Sequence, residues 1–348
     1  MNTMKAAVFE GIENIKIREI PIPHTDDDSM LVKVESCGIC GGDIRNFHAG
    51  LRYGVEKQIM GHEIAGIVVE KGSKVTDFKE GDRVALAPDV SCGTCYYCKR
   101  GLVNLCESHR MLGAHWPGGF AEYVNLPSEI LKRGFVEKIP EDLSFDEACF
   151  AEPVCSVSAC QEFFNISLGD SVVVFGDGPI GCIHVEIAKR RGASKVILIG
   201  RRKLDLAKRF SPTHIINSNE TDPVEEVRKI TGGIGADFCI CANANAITQK
   251  QGVEMVRKRG TVVLFGGLPK NNCMTTLDSN LIHYNEIFVA GSFSYPRTQL
   301  KTALSLISTG VVSAHKYITQ KVTLDRIPEG IALHAEGKSL KVVVKPWD

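Results

Sequence analysis

The stretch "SVVVFGDGPIG", residues 171–181, carries the strongest fold signal in this sequence. A short β-branched run leads directly into Gly176, Gly178 and Gly181, which are spaced as G-x-G-x-x-G. Between a strand and a helix, the first glycine allows a tight turn, the second lets the backbone approach a pyrophosphate, and the third lets helix and strand pack closely. The pattern predicts a dinucleotide-binding turn, with the anion facing the N–H groups at the helix start.

Apolar strands and helices alternate around and after this turn. "SVVVF", "KVILIG", "ADFCICA", "TVVLFGG" and "IFVAGSF" are continuous apolar runs, and helical patterns separate them. Such runs are typical of a parallel sheet covered on both faces, so we expect a doubly wound α/β Rossmann domain. The residues predicted to contact the dinucleotide are Gly176, Gly178, Pro179, Ile180, Gly181, Gly200, Arg201, Arg202 and Gly266.

The end of the second strand predicts which dinucleotide binds. A protein that binds NAD usually ends this strand with Asp or Glu, which accepts a hydrogen bond from the ribose 2′-hydroxyl. Here the strand ends in Gly200, and Arg201 and Arg202 follow. With no carboxylate to repel a 2′-phosphate and two guanidiniums to pair with it, NADP is expected to be preferred over NAD. The alternative is a solvated helix start, but cations there oppose the helix dipole.

The first third of the chain has a different pattern. Short β-branched runs such as "MLVKVES" and "EIAGIVVEKG" are separated by Gly, Pro and Asp, which is typical of an antiparallel, barrel-like domain. Ser144 and Glu147 form a capping box that predicts a helix start. We expect a mostly β domain over 1–154, with a metal lobe at about 88–110. The Rossmann domain follows at 155–294, and 295–348 returns to the first domain.

Four cysteines fall within one short segment. "SCGTCYYCKRGLVNLC" has the spacing C-x2-C-x2-C-x7-C. Four thiolates can close a tetrahedral shell, which predicts a structural zinc site without chemistry of its own. An iron–sulfur cluster is the alternative, but the last gap and the absence of a following proline disfavour it. The predicted ligands are Cys92, Cys95, Cys98 and Cys106.

A second set of candidate metal ligands is dispersed along the chain. Cys40 lies in "CGICGGDIRNF", His62 and Glu63 lie in "MGHEIAG", and Glu152 lies in "FAEPVC". Each residue alone has an ordinary structural explanation. Together they supply mixed S, N and O donors, and three protein ligands with an open position form the pattern of a catalytic zinc site.

Composition excludes several other classes of protein. The 348 residues carry 41 basic and 41 acidic side chains, so nothing in the net charge indicates a nucleic-acid or anionic membrane partner. No run is long and apolar enough to suggest a membrane span. Thirteen cysteines, an odd number, favour a reducing cytoplasm in which thiolates bind metal.

These motifs together resemble the zinc-dependent medium-chain dehydrogenase/reductase family. "CGICGGD", "GHEIAG", the four-cysteine lobe, "GGFAEY" and "GDGPIG" occur in the order and near the spacing of the family. "EP" at 152–153 is similar to the sorbitol and threonine dehydrogenase branch. The resemblance implies a GroES-like domain, an inserted Rossmann domain, one catalytic and one structural zinc, and a homodimer or homotetramer. It also implies that Cys40 and His62 are zinc ligands, with Glu63 and Glu152 as alternates.

The chain departs from this family at three positions. Gly42 stands where a Ser or Thr usually begins the proton path, Arg45 stands where many members have His, and Ser294 replaces an arginine of the polyol branch. The proton could leave through a substrate hydroxyl, water, or the carboxylates of Glu63 and Glu152. Alternatively, Arg45 binds an anionic substrate, or oxidation is weak.

The expected function is hydride transfer between NADP(H) and a secondary alcohol or ketone of a polyol, sugar alcohol or related, including anionic, substrate. Zinc would act as the Lewis acid. The alternatives are a weakly active or non-catalytic nucleotide-binding relative and a quinone or enone reductase of the same fold. Candidate substrate-pocket residues are Arg45, Phe47, His48 and Tyr295.

Overall fold

The computed structural model describes residues 2–51 and 54–348. The chain forms two compact units, Met1–Cys155 with Tyr295–Asp348, and Ser156–Ser294. The strands are β1 (Thr3–Gly11), β2 (Asn14–Pro21), β3 (Met30–Gly38), β4 (Gln58–Ile59), β5 (Glu63–Lys71), β6 (Arg83–Ala87), β7 (Asp89–Val90), β8 (Arg110–Met111), β9 (Tyr123–Leu126), β10 (Phe135–Lys138), β11 (Ser171–Phe175), β12 (Lys195–Gly200), β13 (His214–Asn217), β14 (Ala236–Cys241), β15 (Val256–Leu264), β16 (Phe288–Gly291), β17 (Ile318–Val322) and β18 (Lys341–Val344).

The α-helices lie mostly between strands. They are α1 (Gly41–Ala49), α2 (Ser128–Arg133), α3 (Phe145–Cys149), α4 (Ala151–Phe163), α5 (Pro179–Arg190), α6 (Leu204–Ala207), α7 (Pro223–Ile230), α8 (Ala246–Met255), α9 (Ser279–Tyr284), α10 (Gln299–Ser308), α11 (Ala314–Tyr317) and α12 (Ile327–Ala335). None of the helices in the described ranges has the length and apolar character that crossing a bilayer requires.

The unit Ser156–Ser294 is built on one parallel sheet. Its strand order is β13-β12-β11-β14-β15-β16, and every neighbouring pair is parallel. The central strand β11 is buried along its whole length because helices cover both faces of such a sheet. This order is that of a doubly wound dinucleotide-binding fold, so the predicted Rossmann fold is confirmed.

The other unit is mostly antiparallel. One sheet has the order β2-β1-β4, and a second has the order β10-β6-β5-β3-β18-β17, with β9 also pairing β3. Strand β18 pairs β3 through Val344 and Cys37, so the C-terminal segment completes the sheet begun near the N-terminus. Apolar side chains of these strands, including Val32, Ile64 and Val342, form the core of this unit.

The ends of β3 and β5 position two of the predicted zinc ligands. Gly38, the last residue of β3, is paired with Glu63, the first residue of β5. Cys40 therefore follows one strand and His62 precedes the other at the same edge of the sheet. Antiparallel register thus brings together two residues that lie 22 positions apart in the sequence.

Helix α3 begins at the predicted capping box. The Ser144 Oγ accepts a 3.2 Å hydrogen bond from the Glu147 backbone N–H, and the Glu147 Oε2 accepts one of 3.2 Å from the Ser144 backbone N–H. Both helix-start donors are satisfied, which confirms the prediction. Helix α4 follows at Ala151, so Glu152 lies in its first turn.

Candidate active site

The four cysteines of the lobe lie close together. Their sulfur atoms are all within 4.8 Å of one another. The Cys92 Sγ accepts hydrogen bonds of 3.4 and 3.3 Å from the backbone N–H groups of Thr94 and Cys95. The Thr94 N–H in particular lowers the pKa of Cys92 to about 5, because the donor stabilises the thiolate. A preformed set of four thiol ligands fits a structural zinc site, as the spacing predicted.

A buried aspartate joins Cys40 and His62. The Asp43 Oδ2 accepts a 2.9 Å hydrogen bond from the Cys40 backbone N–H, and its Oδ1 accepts one of 3.3 Å from the Gly61 N–H. The same Oδ1 lies 3.4 Å from the His62 Nδ1, and the Asp43 side chain is only 1% exposed. Sequence reasoning placed Asp43 beside the cysteine but missed its contact with the histidine. The spacing of Cys40 and Asp43 was the available signal.

Burial and the neighbouring Asp43 and Cys40 side chains have opposite effects on the pKa of His62. Burial disfavours the imidazolium, but the carboxylate of Asp43 and the nearby thiol of Cys40 raise the pKa of His62 well above its usual value. A carboxylate at Nδ1 holds the ring in one orientation and leaves Nε2 as the atom for a metal. This donor arrangement fits a zinc ion bound by Cys40 and His62.

Glu152 is held by a tyrosine. The Tyr295 hydroxyl donates a 2.9 Å hydrogen bond to the Glu152 Oε1, and Tyr295 is 2% exposed. Burial raises the pKa of Glu152 to about 7, while the charge of His62 acts in the opposite direction. Within the described ranges only the four lobe cysteines gather at least three ligand atoms within 4.8 Å, so Cys40, His62 and Glu152 are not drawn together to that distance.

Glu63 has a different partner. Both of its carboxylate oxygens lie 2.7 Å from the Lys341 Nζ, which also donates a 3.2 Å hydrogen bond to the Ile39 carbonyl. The side chains of Lys341 and Glu63 are 3% and 0% exposed. A Cβ at Gly38 would lie 1.9 Å from the Glu63 Oε2, so a side chain there would displace the paired carboxylate. Sequence reasoning missed Lys341. A lone lysine beginning an apolar strand was the available signal.

The remaining candidate pocket residues lie in different surroundings. Arg45 is half-buried, and its guanidinium donates to the Asn46 Oδ1. Phe47 belongs to the hydrophobic core. His48 is exposed, and its Nδ1 lies 2.8 Å from a Glu13 carboxylate oxygen.

Gly42 leaves space between the ligands. A Cβ built there would lie 3.5 Å from the His62 Cε1 and 4.0 Å from the Cys40 Sγ, which are ordinary contacts. Packing therefore does not require glycine at this position. A serine would fit.

The glycine turn has the geometry of a dinucleotide cradle. Gly176 has a φ of +121°, and a Cβ at Gly181 would lie 1.7 Å from the Gly176 carbonyl oxygen. A Cβ at Gly178 would meet no atom within 4 Å, so the space before α5 is open. Cys182 donates a 3.0 Å bond to the Gly178 carbonyl, and the N–H groups of Ile180 and Gly181 precede it at the start of α5, where a helix offers no intrahelical acceptor. This geometry fits a pyrophosphate.

One premise of the nucleotide prediction is wrong. A carboxylate is present at the end of β12, although it comes from the glycine turn and not from the strand itself. The Asp177 Oδ2 accepts hydrogen bonds from the backbone N–H groups of Arg201, Arg202 and Lys203 at 2.8, 2.7 and 2.7 Å. Sequence reasoning missed it because the residue between two glycines is usually variable.

Comparison with known proteins identifies the family. Residues 26–138 match the alcohol dehydrogenase GroES-like domain, and residues 179–309 match the zinc-binding dehydrogenase domain. The chain belongs to the zinc-dependent medium-chain dehydrogenase/reductase family. The resemblance inferred from the motifs is therefore confirmed, together with the predicted GroES-like and Rossmann folds.

Alignments with relatives in this family cover nearly the whole of both chains. The sorbitol dehydrogenase of Bacillus subtilis is 34% identical over 99% of this chain and 97% of its own. The D-xylulose reductase A of Aspergillus oryzae is 33% identical over 98% of this chain and 96% of its own. A solved structure from Sinorhizobium meliloti, described as a zinc-binding dehydrogenase bound to NADP, has a TM-score of 0.91 and 34% identity over 99% and 100%. The protein is an NAD(P)-dependent zinc alcohol or polyol dehydrogenase.

Proposed function

We propose that this dehydrogenase transfers a hydride between NADP(H) and a secondary alcohol or ketone of a polyol or sugar alcohol, at a catalytic zinc site formed by Cys40, His62 and Glu152. The observation that carries the proposal is the buried Asp43, which binds the Cys40 backbone at 2.9 Å and lies 3.4 Å from the His62 Nδ1. Zinc bound there would supply Lewis-acid polarisation of the substrate oxygen. Asp43 then holds the histidine so that only Nε2 is presented.

Glu152 is the proposed third ligand, and Glu63 is its alternate. The two Glu63 oxygens already share the Lys341 ammonium at 2.7 Å. Among the described residues, Glu152 has one hydrogen bond, from Tyr295, and burial raises its pKa to about 7. A buried carboxylate with so little compensation gains more from a cation than one already paired. Glu63 with Lys341 is proposed to fix the strand end beside His62.

The test of this site pairs His62→Ala with His24→Ala. His24 is a suitable control because its side chain is 87% exposed and its nearest acidic partner is a surface aspartate. His62→Ala is expected to lose one of two zinc ions per chain and at least about 100-fold in turnover, since even residues behind metal ligands contribute about 10–100-fold. Zinc content by elemental analysis and steady-state rates measure both. His62→Ala protein that keeps its zinc and its turnover refutes the assignment. Near one zinc in the wild type would instead favour the non-catalytic and quinone reductase alternatives.

The proton is proposed to leave through water or a second substrate hydroxyl, because position 42 offers no hydroxyl. A Cβ there would lie 3.5 Å from the His62 Cε1, which is an ordinary van der Waals contact. Gly42→Ser is therefore expected to change the pH profile of turnover by adding a relay group, and Gly42→Ala controls for bulk. Identical pH profiles for the serine and alanine variants would show that a hydroxyl at position 42 does not relay the proton.

A phosphorylated or carboxylated polyol is a second candidate substrate. Arg45 is half-buried on α1, the helix that begins after Cys40. A guanidinium there suits a bidentate anion. A relative from Enterococcus avium, 31% identical over 96% of this chain, is a D-arabitol-phosphate dehydrogenase. Arg45→Met is expected to raise KM for polyol phosphates but not for neutral polyols. Equal effects on both substrate classes would refute the anion-binding role.

NADP is the proposed preferred cofactor. Arg201 and Arg202 are exposed beside the end of β12, where a ribose 2′-phosphate would lie in this fold. Replacing both with alanine is expected to raise the dissociation constant for NADP more than that for NAD. Equal changes would refute the role of the arginines.

The protein is further proposed to be a cytoplasmic homodimer or homotetramer. Strand β16 is an edge of the Rossmann sheet, and its Phe288 is 56% exposed. An exposed aromatic on an edge strand favours association. All thirteen cysteines are free thiols, as expected in a reducing compartment. Light scattering of the purified protein measures the oligomeric state, and a monomer would refute this proposal.

A further inference from the structure

The backbone after β12 forms an anion-binding nest, and a side-chain carboxylate of the same chain occupies it. Three successive N–H groups, those of Arg201, Arg202 and Lys203, donate to a single Asp177 oxygen at 2.8, 2.7 and 2.7 Å. Successive N–H groups directed at one point are a typical phosphate-binding arrangement. A carboxylate therefore occupies the place where these backbone donors would otherwise face a ligand anion.

Gly200 is the position that makes this arrangement possible. A Cβ at Gly200 would lie 2.4 Å from the Asp177 Cβ and 2.6 Å from its Oδ2. Side chains at 177 and 200 therefore exclude each other. The chain lacks the acidic residue at the strand end, and it brings an equivalent carboxylate from the preceding glycine turn.

Opposite charges then face the adenosine ribose region. The Arg201 and Arg202 side chains are exposed, and neither guanidinium has a hydrogen bond or ion pair among the residues that the structure describes. Asp177 is half-buried beneath the same turn. The guanidiniums attract a 2′-phosphate, whereas the carboxylate repels it and withholds three backbone donors.

We propose that Asp177 is a specificity-determining residue that opposes NADP and preserves the binding of NAD. The carboxylate moderates the preference set by Arg201 and Arg202, so the enzyme binds both dinucleotides. Its Oδ1, which has no hydrogen bond to the described residues, is the acceptor for a ribose hydroxyl. This inference rests on the dinucleotide-binding role proposed above.

The experiment compares Asp177→Asn with Asp205→Asn in the full-length holoenzyme. Asparagine keeps the size of the side chain, and its amide oxygen can accept the same three N–H bonds, so the change removes mainly the charge. Asp205 is the matched control because its side chain is 93% exposed and pairs with Lys208, so the same charge is removed near the turn but outside the nest. Isothermal titration calorimetry gives the dissociation constants of NADP, NAD, 2′,5′-ADP and 5′-ADP without requiring turnover.

Asp177→Asn is expected to raise the ratio of NADP to NAD affinity about tenfold, the size of one screened unit charge at short range. The ratio of 2′,5′-ADP to 5′-ADP affinity should rise in parallel, and Asp205→Asn should leave both ratios unchanged. Asp177→Ser, which also removes the charge, is the second variant if the first unfolds at a lower temperature.

Three results would overturn the inference. An unchanged ratio in Asp177→Asn and Asp177→Ser would show that the charge does not act on the nucleotide. An equal loss of affinity for NADP and NAD would make Asp177 only a support for the turn. An equal rise of the NADP to NAD affinity ratio in Asp205→Asn would show that the effect comes from the net charge of the protein and not from the position of Asp177. These outcomes leave wild-type binding intact, whereas a wild-type protein that binds neither dinucleotide overturns the proposed function itself.

Discussion

The two metal-binding regions of the first unit differ in how they are built. The lobe draws its four ligands from Cys92 to Cys106, and their sulfur atoms lie within 4.8 Å of one another. The proposed catalytic site takes Cys40, His62 and Glu152 from three separate segments of the chain, before α1, before β5 and in α4. Buried polar side chains contact these residues, and some of them are distant in the sequence, such as Tyr295 on Glu152.

This difference in construction predicts a structural role for the lobe and a catalytic role for the dispersed site. A closed set of four thiolates leaves no open coordination position, so zinc bound in the lobe is expected to stabilise the fold and to take no part in the reaction. The proposed dispersed site combines mixed donors, and Asp43 and the Glu63–Lys341 pair are proposed to orient them. Substitutions of Asp43, Lys341 or Tyr295 should therefore change activity or the packing of the strand ends. The size of each effect should depend on how deeply the side chain is buried.

Cys98→Ser should produce the largest effect. Loss of one thiolate is expected to release the lobe zinc and to destabilise the unit by more than about 5 kcal/mol, a fraction of the ~10–16 kcal/mol that structural zinc contributes in small peptides. Cys273→Ser is the control because Cys273 is an exposed free thiol. Zinc content and thermal unfolding are measured together. A variant that keeps its zinc and its melting temperature would erase the distinction between the two regions.

Lys341→Met should have the next largest effect. It leaves the Glu63 carboxylate, which is 0% exposed, without its cation. Breaking a buried pair is expected to destabilise the fold by about 3–5 kcal/mol, and the double variant with Glu63→Gln should recover much of this because no buried charge remains. Urea unfolding gives both values. If the single and double variants are equally unstable, packing and not charge holds the strand ends.

Asp43→Asn tests orientation of the ligands. The affinity of the dispersed site for zinc is expected to fall about 10–100-fold, because the carboxylate no longer holds the imidazole. Asp82→Asn is a matched control, since the Asp82 Oδ2 accepts a 2.9 Å bond from the N–H three residues earlier, as Asp43 does from Cys40. Retention of zinc against a chelator series measures the change. Equal losses in both variants would remove Asp43 from the site.

Tyr295→Phe should have the smallest effect. It removes one 2.9 Å hydrogen bond to Glu152 and retains the edge-to-face contact with Phe135. A loss of about 1 kcal/mol, a factor of roughly 5 in kcat/KM, is expected. Tyr123→Phe, whose ring contacts Trp347, is the control. An unchanged kcat/KM for Tyr295→Phe would mean that Glu152 does not need this partner.

Much of the fold could be predicted because its signals are local. The apolar strand "SVVVF" and the glycines after it specify the start of a Rossmann unit within eleven residues. The cysteine spacing specifies the lobe in the same way, because all four ligands belong to one short segment. Residues 144–147 contain the whole capping box of α3.

The candidate site could be predicted only in outline. Cys40, His62, Glu63 and Glu152 were identified as donors, but nothing local distinguishes the two glutamates. Their difference comes from Lys341, which lies 278 positions from Glu63. The NADP prediction also depended on a contact that the local sequence does not reveal. The carboxylate beside the Arg201 backbone belongs to Asp177, which lies 24 positions earlier in the sequence.

By itself, the sequence determined the family, the Rossmann turn and the thiolate lobe, since each depends on residues adjacent in the chain. Only the tertiary structure decided which buried carboxylate is neutralised by Lys341 and which carboxylate lies beside the backbone of Arg201. The physical reason is that burial raises the free energy of an ion unless a partner is close. Strand register, through β18 against β3 and β3 against β5, selects that partner.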